Sequence, residues 1–116
     1  MNKKQLKQLK EHIAKYGGAT LTSAGVITAL SAGYMCSIYG YEKKTSLKRL
    51  NKRLLNKYFR KARNIGAYVG AWLDNDILYL DLSKQYATKA QAISEGLKNK
   101  QLAIYDNANA QSVYIK

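Results

Sequence analysis

YGGATLTSAGVITALSAGYMCSIYGY, from Tyr16 to Tyr41, contains no charged side chain, and the way these 26 residues fold decides the architecture of the chain. As one continuous helix rising 1.5 Å per residue, the stretch would be roughly 39 Å long, more than the ~30 Å hydrocarbon core of a bilayer. Proline is absent from the whole chain, which favours long uninterrupted helices in this half. Gly, Ala, Ser and Thr make up more than half of the stretch, and Gly25, Ala29 and Gly33 repeat every four residues, as in closely packed helices. Tyr34, Tyr39 and Tyr41 resemble an interfacial aromatic belt. The stretch therefore reads as an apolar helix over residues 17–41, held either in a membrane or inside a protein assembly. A cleaved signal peptide fits poorly, because the charged region before it is long and no small-residue cleavage site follows.

Charge is concentrated on either side of that stretch. The net charge is +13. Lys3, Lys4, Lys7, Lys10 and Lys15 stand against Glu11, and Lys43, Lys44, Lys48, Arg49, Lys52, Arg53, Lys57, Arg60, Lys61 and Arg63 stand against Glu42. From Asn64 onward five lysines meet five acids. A clustered positive surface attracts polyanions over about a Debye length, so nucleic acid, anionic lipid and acidic protein are the partner classes.

Both basic segments read as amphipathic helices. Leu6, Leu9, Ile13 and Tyr16 share one face of a helix over residues 1–16 that Gly17 and Gly18 end. In the basic segment 42–63, a helix over residues 45–63 places Leu47, Leu50, Leu54, Tyr58 and Ala62 along one seam, with Thr45 or Ser46 at its start. The seam predicts a docking face for a partner through Leu47, Leu50, Leu54 and Tyr58. The ten cations from Lys43 to Arg63 predict an anion-binding face, since one acid in 22 residues is too few to offset them locally.

The neutral remainder, residues 64–116, follows a different pattern. Ile65 to Leu73 and Ile77 to Leu82 flank the turn Asp74, Asn75, Asp76 as a β-hairpin. Thr88 and Gln91 form a capping-box signal for a helix from Lys89 to about Lys98, with Ala92, Ile93 and Leu97 on its buried side. Gln101 to Asp106 and Ser112 to Ile115 read as strands. The expected fold class is therefore α+β: long N-terminal helices, one apolar and one basic amphipathic, followed by a small ββαββ unit.

Little in the chain points to catalysis. Cys36 is the one cysteine and His12 the one histidine, so no disulfide and no His/Cys metal site forms within one chain. No nucleophile has a base near it in sequence, no phosphate-cradling glycine motif is present, and no cofactor is implied. Asp74, Asp76 and Asp81 read as acids of a solvated turn, and Trp72 as a packing residue.

The pattern W-x-D-x-D-x-x-Y-x-D, from Trp72 to Asp81, followed by Q-x-A-I-x-D, from Gln101 to Asp106, resembles small modules that recur in proteins of bacteriophages and other mobile elements. The resemblance covers about 50 of the 116 residues. It implies a small basic phage protein of the internal virion or inner-core type, and the Lys- and Asn-rich composition suits a low-GC Gram-positive host. On that basis the expected function is a non-enzymatic structural protein of a tailed phage. It would sit in many copies in the virion interior, against capsid or portal protein, and contact packaged double-stranded DNA through phosphates without sequence preference. The alternatives are a single-span phage lysis or membrane protein of the host cell membrane with a basic juxtamembrane helix, and a soluble adaptor for an acidic protein.

Overall fold

The long N-terminal helices do not form. The computed structural model, which describes residues 1–116, has helices of 14, 14 and 10 residues and eight strands, and one helix alone precedes the first strand. In chain order the elements are α1 (Lys3–Tyr16), β1 (Gly18–Leu21), β2 (Ile27–Thr28), β3 (Tyr34–Ser37), β4 (Lys43–Thr45), α2 (Lys52–Ile65), β5 (Tyr68–Asp74), β6 (Ile77–Tyr86), α3 (Lys89–Lys98), β7 (Ala103–Asp106) and β8 (Gln111–Tyr114). All strands join one antiparallel sheet in the order β2-β1-β5-β6-β3-β7-β8, with β4 also paired to β6.

The uncharged stretch is thus three strands and their turns instead of an apolar helix. Gly17, Gly25 and Gly33 recur every eight residues, and each breaks the chain where a helix would have to continue. Gly25 (φ 85°) turns the β1–β2 hairpin and Gly33 (φ 74°) leads into β3, both in the left-handed region that glycine enters without steric cost. Between Gly17 and Gly33 the β-branched Thr20, Thr22, Val26, Ile27 and Thr28 favour extended backbone. No helix is long and apolar enough to cross a membrane.

β6 is the spine of the sheet. Along one side it pairs with the whole of β5, from Tyr68↔Ser83 to Asp74↔Ile77. Along the other it pairs first with β3 (Tyr34↔Tyr86 to Ser37↔Ser83) and then with β4 (Lys43↔Leu80 to Thr45↔Leu78), two strands running in one line with a break at 38–42. Because β3 lies between β6 and β7, the hairpin, helix and strands after residue 64 are not a separate ββαββ unit.

Alternation along the central strands puts the core on one face. Leu78, Leu80 and Leu82 of β6, with Val69 and Ala71 of β5, are buried against Leu9 and Ile13 of α1 and Leu55, Phe59 and Ala62 of α2. A smaller cluster of Cys36, Ala92 and Ile104 lies under α3. All three helices therefore cover the same face, and the other face of the sheet is open.

The helix ends follow local chemistry. Asn2 and Gln5 form a reciprocal capping box at α1, with both bonds 2.8 Å. The second basic helix starts later than expected, because Asn51 caps it by accepting from Leu54 N at 2.9 Å. Thr45 ends β4, and Ser46 accepts from Arg49 N at 3.2 Å to close a single turn before Asn51.

Candidate functional sites: a cationic helix face and an open cleft

The seam that was expected to meet a partner meets the chain's own sheet. Leu50 and Tyr58 are 1% and 4% exposed, and Leu47 and Leu54 pack against the same core. The Tyr58 hydroxyl donates to the Tyr41 carbonyl, which gives the buried ring a partner for its polar end. The seam is thus taken up by the chain's own core, fully at Leu50 and Tyr58 and partly at Leu47 and Leu54.

With the apolar side of α2 turned inward, its cations turn outward. Arg53, Lys57, Arg60 and Arg63 are exposed on α2, Lys52 and Lys61 are half-buried there, and Lys48 and Arg49 are exposed in the turn before it. Lys61 Nζ sits 5.5 Å from the Tyr41 ring and 5.8 Å from the Tyr58 ring. Arg63 donates to the Ser23 carbonyl at 3.1 Å. Lys43 and Lys44 stand apart on β4, with Lys44 Nζ 5.7 Å from the Tyr79 ring on the other side of the sheet.

The fold adds cations from outside the segment Lys43 to Arg63. α1 and α2 cover the same face of the sheet, and Lys10 Nζ donates to the Lys48 carbonyl at 3.3 Å, joining α1 to the turn before α2. Lys3, Lys4, Lys7, Lys10 and Lys15 thus share a layer with the eight cations from Lys48 to Arg63, and Glu11 is the one acid on either segment. The single ion pair of the chain lies elsewhere, between Lys98 and Glu95 at 3.4 Å, so none of these cations has a carboxylate partner. The charge pattern of α1 signals this in sequence; only the packing shows that α1 and α2 form one face.

The open face carries a different site. A cleft of about 390 Å³ lies there, with Gly70, Asp81, Ser37 and Ser83 at its floor and Trp72, Tyr68, Met35 and Tyr105 around it. Ser37 Oγ donates to Asp81 Oδ2 at 3.1 Å and Ser83 Oγ donates to Oδ1 at 3.4 Å. Burial pushes the Asp81 carboxyl above its usual range, and the two serine hydroxyls oppose the shift in part. Asp74 at the end of β5 and Asp76 in the hairpin turn are both exposed, whereas Asp81 lies on β6 away from that turn.

Trp72 is also not a core anchor. It is 48% exposed, and its ring lies across the open face over Gly18, its register partner on β1, with the indole Nε1 edge over Gly70. Both glycines are needed there, because a Cβ on either would run into the ring. Nothing in the local sequence signals this, since it depends on pairing residue 18 with residue 72.

The two sites suit different chemistry. The helix face can hold a run of phosphates, whereas the cleft offers one carboxylate and aromatic surface. No group of three or more His, Cys, Asp or Glu side chains comes together in a way that could hold a metal ion. Comparison of the chain with protein-family models, with curated proteins and with solved structures finds no match.

Proposed function

We propose that this protein is a non-enzymatic structural protein that holds double-stranded DNA by its phosphates along the α1–α2 face, without preference for sequence, inside a tailed phage particle. The observation that carries the DNA reading is the layer of cations on α1, α2 and the turn before α2, which has no carboxylate partner. Such a face repels itself unless an anion screens it, and a phosphate backbone supplies regularly spaced negative charge along its length. The virion setting rests on the resemblance of residues 72–106 to phage-encoded modules.

Two other readings lose the feature that supported them. A single membrane span needs residues 17–41 as a helix, and they are strands. Docking of an acidic protein on the leucine seam needs that seam exposed, and Leu50 and Tyr58 are buried while Leu47 and Leu54 pack partly buried against the same core.

The test is binding to short duplexes of unrelated sequence, followed by fluorescence anisotropy. Replacing Lys48, Arg49, Lys52 and Arg53 together by Ala is expected to weaken binding to every duplex by the same factor. Unchanged affinity, or loss confined to one sequence, contradicts the reading.

A further inference from the structure

The cleft on the open face has a chemistry that the DNA reading does not use. Among the residues around it Asp81 alone is charged, in a chain with twenty Lys and Arg side chains. An anionic ligand would meet a carboxylate there and no cation, so phosphates and carboxylic acids are poor occupants. The serine hydroxyls each give one hydrogen bond to the carboxylate, which leaves further lone pairs on both oxygens for donors entering from the cleft.

A carboxylate withdrawn from water without a cationic partner is costly, and a cation brought into contact with it offsets that cost. The surrounding rings add to this preference. Trp72 is 48% exposed with its Nε1 edge over the same glycine as the carboxylate, and Tyr105 is 41% exposed across the cleft. Ring faces attract a cation at close range, and their area covers an apolar stem.

We propose that this cleft binds an organic monocation, an ammonium or guanidinium head on a short apolar stem, with the head on Asp81 and the stem against Trp72. The site lies on the face opposite the cationic layer, so an occupant there does not cover the surface proposed for DNA. The same head group occurs on free amines and on lysine or arginine side chains, and the test separates these sources.

Trp72 is the only tryptophan, so its emission reports the cleft directly. The full chain is titrated with n-butylammonium chloride, n-butylguanidinium chloride, n-butanol, glucose and the capped peptide N-acetyl-Gly-Gly-Lys-Gly-Gly-amide, whose one cation is the lysine side chain, with sodium chloride as the ionic-strength control. Saturable change in the millimolar range with the two cations, absent with butanol, glucose and salt, is the expected result. Response to the peptide as well identifies a side chain as a competent source, and response to the free cations alone identifies a free amine. Asp81→Asn is expected to weaken cation binding at least about tenfold. Amide shift changes on adding butylammonium to the unaltered protein, centred on Ser37, Gly70, Trp72, Asp81 and Ser83, provide a readout that needs no variant. Equal response to butanol or glucose, unchanged binding by Asp81→Asn, shift changes elsewhere, or no saturable response to either cation overturns the proposal.

Discussion

The carboxylate of Asp81 lies over the Cα of Gly70, its register partner on the neighbouring strand, in the space where any other residue would carry its Cβ. That contact sets the floor of the open cleft and fixes the height at which Trp72 crosses it. A methyl group at residue 70 would displace both.

Gly70→Ala is therefore expected to destabilise the protein by about 1–3 kcal/mol, the usual cost of forcing a packed site to open. The added methyl meets the Asp81 carboxylate and the indole Nε1. Urea denaturation followed by Trp72 emission checks this, and stability equal to the unaltered chain contradicts it.

Two acids give the pH profile opposite slopes. Burial raises the Asp81 carboxyl, so the folded chain holds this proton more tightly than the unfolded chain, where it titrates near about 3.9. Its stabilising contribution is complete below that value and is lost as pH rises through the raised folded value. Asp106 is lowered, chiefly by the Asn109 side chain donating at 2.7 Å, with the Ala108 and Asn109 backbone N–H groups adding to it. Its contribution is present above the unfolded value and is lost as pH falls through the lowered folded value. Asp81→Asn should thus remove the decline on the alkaline side of about pH 4 and leave the acid limb, and Asp106→Asn should do the reverse. Urea midpoints measured from about pH 3 to 8 show which limb each variant flattens.

The leucine seam answers to stability. Leu50→Ala removes a side chain that is 1% exposed and is expected to cost about 2–5 kcal/mol. A small change in thermal or urea midpoint would mean that Leu50 lies outside the core.

What the sequence made legible was local. The Thr88 and Gln91 box is present with its bonds at 3.2 and 3.4 Å, the β5–β6 turn forms around Asn75 at φ 55°, and α1 ends at Gly17. Each depends on residues a few positions apart. The stretch from Tyr16 to Tyr41 has the length and the lack of charge of an apolar helix, yet its glycines at intervals of eight divide it into strands. Its strands gain their stability from partners far along the chain, Leu21 against Val69 and Tyr34 against Tyr86, and no local period announces such pairs. The seam on α2 was visible as apolar, yet its partner is a sheet assembled from both halves of the chain. Trp72 and Asp81 likewise depend on partners far along the chain, one on Gly18 and the other on Ser37.

The proposed hold on DNA by one face built from α1 and α2 is read out by the salt dependence of binding. For duplex DNA, log K falls against log salt with a slope of about 0.9 per phosphate contact. Replacing Lys3, Lys4 and Lys7 by Ala, or Lys52, Arg53 and Lys57 by Ala, is predicted to reduce that slope by about 2–3 in each case. Replacing the exposed Lys89, Lys98 and Lys116, which removes the same charge from outside the face, is predicted to leave the slope nearly unchanged. Equal reduction in all three variants would show that net charge alone governs binding, and would contradict a dedicated face.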